Sequence, residues 1–509
     1  MLSIVFACAI IGLEGELVEV QVDFNPRATI PAFHIVGLPD SAVKESRERV
    51  RAAIKNSGLQ FPNKAYVVNL SPANLPKHGP AYDLAIAVGV LASTDQLPLD
   101  KLEKTLFVGE LSLDGRVGGV QGVMSMVYAA RQAGYHSVVV PEENAVEAAV
   151  VGGVNVVAVE TLAQLTEHLY GLKPIAPYTA DASLNEAPPD YSSFVDFADI
   201  KGQEYAKRGL TVAAAGGHNL RMVGPPGAGK SLMARALPTI LPRLSHDEAL
   251  EVMRIYSVVN MHDRKPMDTA RPFRAPHHTI SQAGLVGGGS VPRPGEISLS
   301  HRGVLFLDEI NEFSVKALEV MRQPLEDKVV TISRASGSLT FPANFMLIAA
   351  HNPCPCGHHG NPHKHCRCTP AMVERYQSRL SGPLLDRIDI HLEVIEVDYD
   401  KLMGLQPGVP SAQLREEVER ARAIQRERFK SAPHLRVNAD MGAGDIQTYC
   451  VLTPEAKEIL SLSARKMRLS ARSYHRTLKL SRTIADLAGE EVVQMMHVAE
   501  AVQYRYRQP

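Results

Sequence analysis

Eight consecutive residues, Gly224 to Ser231 (GPPGAGKS), satisfy the pattern G-x-x-x-x-G-K-[ST] at every fixed position. Gly224, Gly227 and Gly229 let backbone N–H groups turn inward around phosphate oxygens, with Pro225, Pro226 and Ala228 completing the loop. Lys230 offers a point charge to the β and γ phosphates, and Ser231 a hydroxyl for Mg²⁺. A second group lies 78 residues beyond Lys230, where the apolar run of GVLFLDEI (303–310) ends on two acids. Asp308 suits Mg²⁺ held through its water shell, and Glu309 suits polarisation of an attacking water. An apolar run plus two acids is weak evidence alone. At this distance after a phosphate loop, in one α/β region, it is strong.

These groups need elements to aim them. NLRMV before the loop reads as a buried strand and SLMARAL after it as a helix, whose positive dipole end adds to anion binding. GVLFL and FMLIAAHN read as further strands of one open sheet, where ligands bind beyond the carboxyl edge. Asn352 then sits at a strand tip, placed to orient water near a γ phosphate; a simple strand-end cap is the alternative. Asp199–Gln203, which precedes a helix, resembles the adenine-side segment of the AAA+ ATPases. Between the nucleotide motifs lies a Gly/Pro-rich insert, AGLVGGGSVPRPGEISLSHRG, containing Arg293. DKVVTISR-ASGS-LTFPANF reads as a β-hairpin with Arg334 at its tip.

Four of the six cysteines, Cys354, Cys356, Cys366 and Cys368, fall within fifteen residues as C-x-C-x₉-C-x-C. Four thiolates can close a tetrahedral structural Zn²⁺ site, with no open position for catalysis. The C-x-C spacing is shorter than usual, and an unliganded reduced loop is the competing reading. His358, His359, His363 and His365 are spare ligands. Such a site would brace the chain between Asn352 and Arg387.

The 509-residue chain is 45% apolar and 21% charged, with a net charge of −1. This is an ordinary globular balance, so any nucleic-acid contact must be local rather than a global basic field. The N-terminus alternates like a strand and lacks a basic leader; no apolar run approaches bilayer length. The expected compartment is the cytoplasm, with reduced cysteines and no membrane partner. The chain divides as 1–170, a Pro-rich linker 171–194, a nucleotide-binding core 195–399, and a helical C-terminal domain 400–509. Six β-branched runs alternate with three helical patterns in the first domain. Its helix 41–58 carries Lys44, Arg47, Arg49, Arg51 and Lys55 against Glu45 and Glu48, a solvated face more readily than a nucleic-acid patch. Between Ser461 and Arg482 there are seven Lys/Arg and no acids, which fits a lid surface and a DNA-facing patch equally.

LPKHGPA (75–81) and GELSLDGRVGGV…AARQAG…VVVPEEN resemble the two active-site segments of Lon-type proteases. That family uses a Ser–Lys dyad. Here Ala81 stands at the serine position and Met124 at the lysine position, so a Lon-like fold without peptidase chemistry is expected.

With the phosphate loop, LDEI, NPCPCG and SGPLLDRID, the chain resembles end to end the YifB/ComM family of magnesium-chelatase-like AAA+ ATPases. The resemblance implies an α/β protein: a Lon-like α+β domain, an AAA+ core and a helical lid. It implies ATP and Mg²⁺ as cofactors and a homo-hexameric ring. It also implies an ATP-driven, branch-migrating DNA helicase acting during uptake of transforming DNA. Arg387 resembles the arginine finger of this AAA+ branch, with Arg379 as a second candidate, and Arg472 resembles the sensor-2 arginine reaching toward phosphates. The alternative for either Arg379 or Arg387 is an intrachain salt bridge. Arg293 and Arg334 occupy places where the branch has pore-facing loops. The residues themselves leave a chelatase motor subunit and an ATP-gated scaffold open.

Overall fold

The computed structural model describes residues 1–179, 191, 193–259, 268–289, 292–334, 337–362, 364–396 and 408–505. Linker residues Pro188 and Pro189 and the cluster histidine His363 lie outside them, as do the hairpin-tip residues 335–336. Contacts divide the chain into two units, 1–187 with 246–268, and 188–245 with 269–509.

The first unit is built on a mixed seven-stranded sheet. Its strands are β1 (Leu2–Ile11), β2 (Glu14–Asn25), β3 (Ala32–Val36), β4 (Ala65–Ser71), β5 (Thr105–Phe107), β6 (Ser137–Pro141) and β7 (Asn155–Val159), in the order β3-β4-β2-β1-β5-β6-β7. β1 and β2 pair antiparallel from Leu2↔Asp23 to Ile11↔Glu14, turning on Gly12 at φ +65°. Alternation sets the faces: Val18, Val20 and Val22 are buried while Glu19, Gln21 and Asp23 face outward. The N-terminal apolar run is therefore a strand of this sheet.

Helix α1 (Ser41–Asn56), helix α2 (Asp83–Ser93) and helix α3 (Val123–Gln132) belong to the same unit. α2 is buried along its whole length, and a Cβ on Gly89 would stand 2.6 Å from Val22 Cγ2, so glycine is what lets this helix lie on the sheet. The buried Asp83 at its start is held by Arg49 Nε at 2.6 Å and by Ser46 of α1. Arg49 is thus withdrawn from the basic face counted in the sequence, leaving Lys44, Arg47, Arg51 and Lys55 exposed beside Glu45 and Glu48. Helix His246–Val259 also packs in this unit, against α3. Its flanking residues 188–245 and 269–509 belong to the second unit, an excursion that the continuous sequence partition did not contain.

The second unit carries a five-stranded, wholly parallel sheet: β8 (Leu220–Val223), β9 (Phe273–Arg274), β10 (Val304–Leu307), β11 (Met346–His351) and β12 (Ile390–Glu393), ordered β9-β10-β11-β8-β12. β10 and β11 are buried at every position, as strands covered on both faces are. Helix α4 (Glu204–Gly216) leads into β8 and helix α5 (Lys230–Ala236) follows the phosphate loop. The C-terminal segment is helical: α6 (Ser411–Arg428), α7 (Pro454–Lys466), α8 (Ala471–Ala488) and α9 (Met495–Gln503). α8 starts at Ser470, whose hydroxyl accepts from Ser473 N, and ends at Gly489 in the left-handed region. Buried Asp486 anchors it, accepting from Arg482 Nε at 3.0 Å, Arg428 Nη1 at 2.9 Å and Asn438 Nδ2 at 2.7 Å.

Candidate nucleotide site

Strand order brings the predicted site residues together. β11 lies between β8 and β10, so Asn352 at its tip stands between the phosphate loop and the paired acids. Lys230 Nζ donates to Asn352 Oδ1 at 3.2 Å, and Ser231 Oγ donates to Asp308 Oδ2 at 2.6 Å. Glu309 N donates to Asp308 Oδ1 at 3.0 Å, which fixes one acid relative to the other. Glu309 adopts φ +49°, a left-handed turn that breaks the strand and leaves its side chain 54% exposed. Such backbone strain on a non-glycine residue gathers at functional sites.

The three loop glycines, grouped together in the sequence, are needed for two different reasons. Gly224 is required sterically, because a Cβ would fall 2.1 Å from Val394 O. Gly227 and Gly229 have open space where a Cβ would stand, with nothing within 4 Å. What demands glycine there is the backbone: Gly227 has φ +81° and Gly229 φ +85°, both in the left-handed region. Gly229 is also the residue that immediately precedes α5, so its left-handed turn sets the entry into that helix. Neither glycine brings a side chain to the site; each contributes the curvature of the loop.

Lys230 is nearly buried. Burial pushes its amine below the ordinary lysine value, and the charges of Asp308 and Glu309 offset part of that. Its other acceptors are the loop's own carbonyls, Gly224 O at 2.7 Å and Pro225 O at 2.8 Å. Phosphate oxygens can replace these acceptors without leaving the cation unpaired. Ser231 Oγ and Asp308 Oδ2 are close enough to face one octahedral Mg²⁺ or its water shell. The donor set therefore fits a Mg²⁺–nucleotide, and bound there the ion would neutralise charge between the β and γ phosphates.

Several supporting residues were missed by sequence reasoning. Arg221 Nε donates to His351 Nε2 at 2.7 Å, and His351 Nδ1 in turn donates to Asn352 O at 2.6 Å. Burial, reinforced by Arg221, lowers the His351 pKa to about 3, so the ring is neutral and this donor–acceptor chain is consistent. It holds Asn352 from behind. Gln203, already singled out in the 199–203 segment, donates through Nε2 to Ala228 O at 3.3 Å and Ile395 O at 2.6 Å, tying that segment to the loop. His278 Nδ1 stands 4.0 Å from Glu309 Oε2, with its ring 4.1 Å from that of His277. Two adjacent histidines between the nucleotide motifs were the available signal for this last contact.

The arginines gather elsewhere. Arg387 forms an ion pair with Glu326 and donates to Pro383 O at 2.7 Å. Arg472 reaches the same Glu326 at 3.4 Å. With His475, Arg476 and Lys479 they line a cavity of about 320 Å³ in which Glu326 is the acid. The Arg472 partner is thus Glu326, and no bond from it to the phosphate loop is recorded among the described residues. Arg476 pairs with buried Asp389, two residues after Arg387. Burial alone would raise that carboxyl, but Arg476 and His218 hold it well below the usual range. Arg379 instead donates to Asn311 O at 2.8 Å and Glu312 at 3.1 Å. The basic run after Ser461 is therefore divided: Arg482 is structural, Arg472, Arg476 and Lys479 line the cavity, and Arg465, Lys466 and Arg468 lie outside it. Arg293 is exposed on a ribbon of Gly287–Gly288 with Arg293–Pro294. Arg334 pairs through its backbone with Gly337 at the last step of the predicted hairpin.

The four cysteine Sγ atoms lie within 4.8 Å of one another, with separations of 3.4 Å for Cys354–Cys356, 3.8 Å for Cys354–Cys366 and 3.6 Å for Cys356–Cys366. A tetrahedron of Zn–S bonds near 2.3 Å has edges of about 3.8 Å, so the cluster fits Zn²⁺. Hydrogen bonds from backbone N–H groups of His358 and Arg367 lower the Cys356 thiol to about 6. The loop reaches the nucleotide site: Gly357 is so close to Pro226 that a Cβ would lie 2.5 Å from Pro226 Cδ.

Three family models match: "Magnesium chelatase, subunit ChlI" over 196–402, "Subunit ChlI of Mg-chelatase" over 18–144, and "Magnesium chelatase, subunit ChlI C-terminal" over 408–505. The chain is 42% identical to Competence protein ComM of Haemophilus influenzae over 99% of its own length and 97% of that protein's. It is 41% identical to YifB of Escherichia coli, again over 99% and 97%. Lon protease 2 of Bacillus subtilis is 25% identical over 30% of each chain. The parallel sheet, the assembled phosphate loop and acids, the helical C-terminal segment and these near-full-length matches together establish that the chain belongs to the YifB/ComM family of magnesium-chelatase-like AAA+ proteins.

Proposed function

We propose that this chain is an ATP-hydrolysing ring motor that moves DNA, a branch-migration helicase acting in recombination during natural transformation. The observation that carries the motor reading is the pairing of two features. One is a Lys230–Asn352 and Ser231–Asp308 site built for Mg²⁺–ATP; the other is Arg387 and Arg472 gathered on Glu326. In a homo-hexamer, such arginines serve the neighbouring subunit's nucleotide, and Glu326 holds them until that nucleotide arrives. Near-full-length similarity to a protein named for competence supports DNA as the substrate.

In this mechanism Lys230 exchanges its loop carbonyls for phosphate oxygens. Ser231 and Asp308 would hold the Mg²⁺, whose charge would offset that of the phosphates. Glu309 accepts the proton of the attacking water, and Asn352, braced by His351, orients that water. Arg387 and Arg472 stabilise the charge that develops across the subunit boundary. Zn²⁺ held by Cys354, Cys356, Cys366 and Cys368 would brace the segment packed on Pro226.

The family descriptions favour a second reading, a motor subunit for Mg²⁺ insertion into porphyrin. Turnover of ATP measured with forked DNA, and separately with porphyrin and chelatase partner subunits, discriminates the two. Stimulation by forked DNA, sensitive to salt, is expected. Stimulation only by porphyrin and partners would replace the DNA reading. No response to either would leave an ATP-gated scaffold.

A further inference from the structure

Met124 occupies the first turn of α3, and its backbone N donates to Glu147 Oε1 at 3.3 Å. The same carboxylate oxygen accepts from Ser257, on the helix His246–Val259. One turn earlier on that helix, Arg254 Nη2 donates to Leu13 O at 3.0 Å and to both carboxylate oxygens of Glu14 at 3.1 Å, and its guanidinium lies 4.9 Å over the Tyr128 ring. Gly122, the left-handed residue before α3, donates its N–H to Ser257 O at 3.1 Å. Leu250 and Met253, on the side of the helix that carries Arg254 and Ser257, pack on the cluster containing Val123, Met124, Val127 and Ala130, and Ala81 edges the same cluster. The spacing 250, 253, 254, 257 is one stripe of an α-helix.

The helix belongs to the first unit, while the chain on either side of it belongs to the nucleotide-binding unit. Residues 237–245 separate it from α5, the helix that begins with Lys230 and Ser231. Where the chain leaves and where it returns, Leu244 N donates to Thr269 O at 2.9 Å, so the excursion has a pinned neck.

We propose that the place where Lon-type proteases keep their lysine has become the docking seat for this helix, a latch inside the first unit whose two flanking stretches of chain lead into the nucleotide-binding unit. The N-terminal unit then acts as a non-proteolytic partner that takes up movements of α5, not as an enzyme with a substrate of its own. Three chemistries hold the latch: a shared carboxylate at Glu147, a guanidinium bridging a carbonyl and an acid, and an apolar stripe.

Hydrogen exchange read by mass spectrometry on the full-length chain tests this. Without nucleotide, segments 122–132 and 246–259 should exchange slowly in the wild type. They should exchange at least about tenfold faster in Arg254→Ala/Ser257→Ala, the loss of about 1.4 kcal/mol of local protection. The single variant Ser257→Ala, which keeps the guanidinium, should show a smaller increase confined to the same segments. With Mg²⁺–ATP, protection should rise at 224–236 and also change at 122–132 in the wild type. In the double variant the first response should persist and the second vanish. Basal ATP turnover should stay within about twofold, since neither residue touches the nucleotide site. Wild-type 122–132 that ignores nucleotide while 224–236 responds, or unchanged exchange in both variants, overturns the latch. The seat rests on no part of the DNA-motor reading. If nucleotide protects nothing, the functional proposal fails while the nucleotide-free arm still decides the docking.

Discussion

Ala81 and Met124 in the first unit and Lys230 and Glu309 in the second stand at positions that known families use for chemistry, and their surroundings differ in kind. Met124 is 1% exposed, inside an apolar cluster, beside the Glu147 carboxylate, which already accepts from the Met124 backbone N–H, Ser257 and Asn144. Glu309 is more than half exposed at a strained turn, and Lys230 is held by carbonyls that an anion can displace. One region has been closed over by its own chain; the other holds its donors on loop carbonyls and side chains that a ligand can replace. A fold survives the loss of its catalytic groups because buried apolar area holds it together, while catalysis needs a few polar groups aimed at open space.

The comparison breaks most visibly at the second site. Glu309→Gln should bind ATP normally and lose about 10³-fold in turnover, whereas Lys230→Ala should lose affinity as well. Equal binding loss in both would undo the assigned roles. Arg387→Ala should fall by a similar factor. Mixed with Lys230→Ala subunits it should recover part of the activity, because one boundary then joins an intact loop to an intact arginine; verified mixed rings with no recovery would leave Arg387 serving only its own fold through Glu326.

At the first site the converse holds. Restoring a dyad by Ala81→Ser/Met124→Lys should yield no ATP-stimulated degradation of an unfolded protein. A buried ammonium there should cost roughly 2–3 kcal/mol in chemical denaturation, and appearance of peptidase activity would mean that the seat is still a working groove. The Cys cluster should carry about one Zn²⁺ per chain; less than a tenth of an equivalent in protein prepared without chelator would refute it.

Smaller effects sharpen the picture. His278→Ala, freeing the Glu309 carboxylate, should change basal turnover by about two- to fivefold without altering ATP affinity, the range of a weak exposed ion pair. A larger loss accompanied by weaker ATP binding would make His278 part of the binding site. Arg334→Ala should leave basal turnover nearly intact and reduce its stimulation by forked DNA; unchanged stimulation would remove the hairpin from the DNA path.

Local sequence was enough for the elements that depend on local chemistry. β-branched runs announced strands of the first sheet, continuous apolar runs announced β8, β10 and β11 of the second but not β9 or β12, and Gly-x-x-x-x-Gly-Lys-Ser between a strand and a helix announced the phosphate loop, because backbone geometry and side-chain period are properties of short stretches. Gly227 and Gly229 belong to this class, since a left-handed φ is a demand of the loop itself. Gly224 does not, because the atom that excludes a Cβ belongs to Val394, far along the chain. The Cys spacing located a cluster whose sulfurs do converge. Arg49 was misread as a surface charge because its partner, Asp83, is far away in the chain.

What the sequence by itself determined about this protein is its family, its mixed α/β class with a helical C-terminal segment, and the motif whose strand, loop and helix the structure places in order. Tertiary structure alone decided that β11 lies between the strands that carry the phosphate loop and the acids, that Arg221 and His351 brace Asn352, that Arg387 and Arg472 share Glu326, and that the helix His246–Val259 packs with the first unit. Each of these joins groups far apart in the chain. Which distant groups meet is set by the burial of whole faces against one another, a quantity that no local window of residues contains.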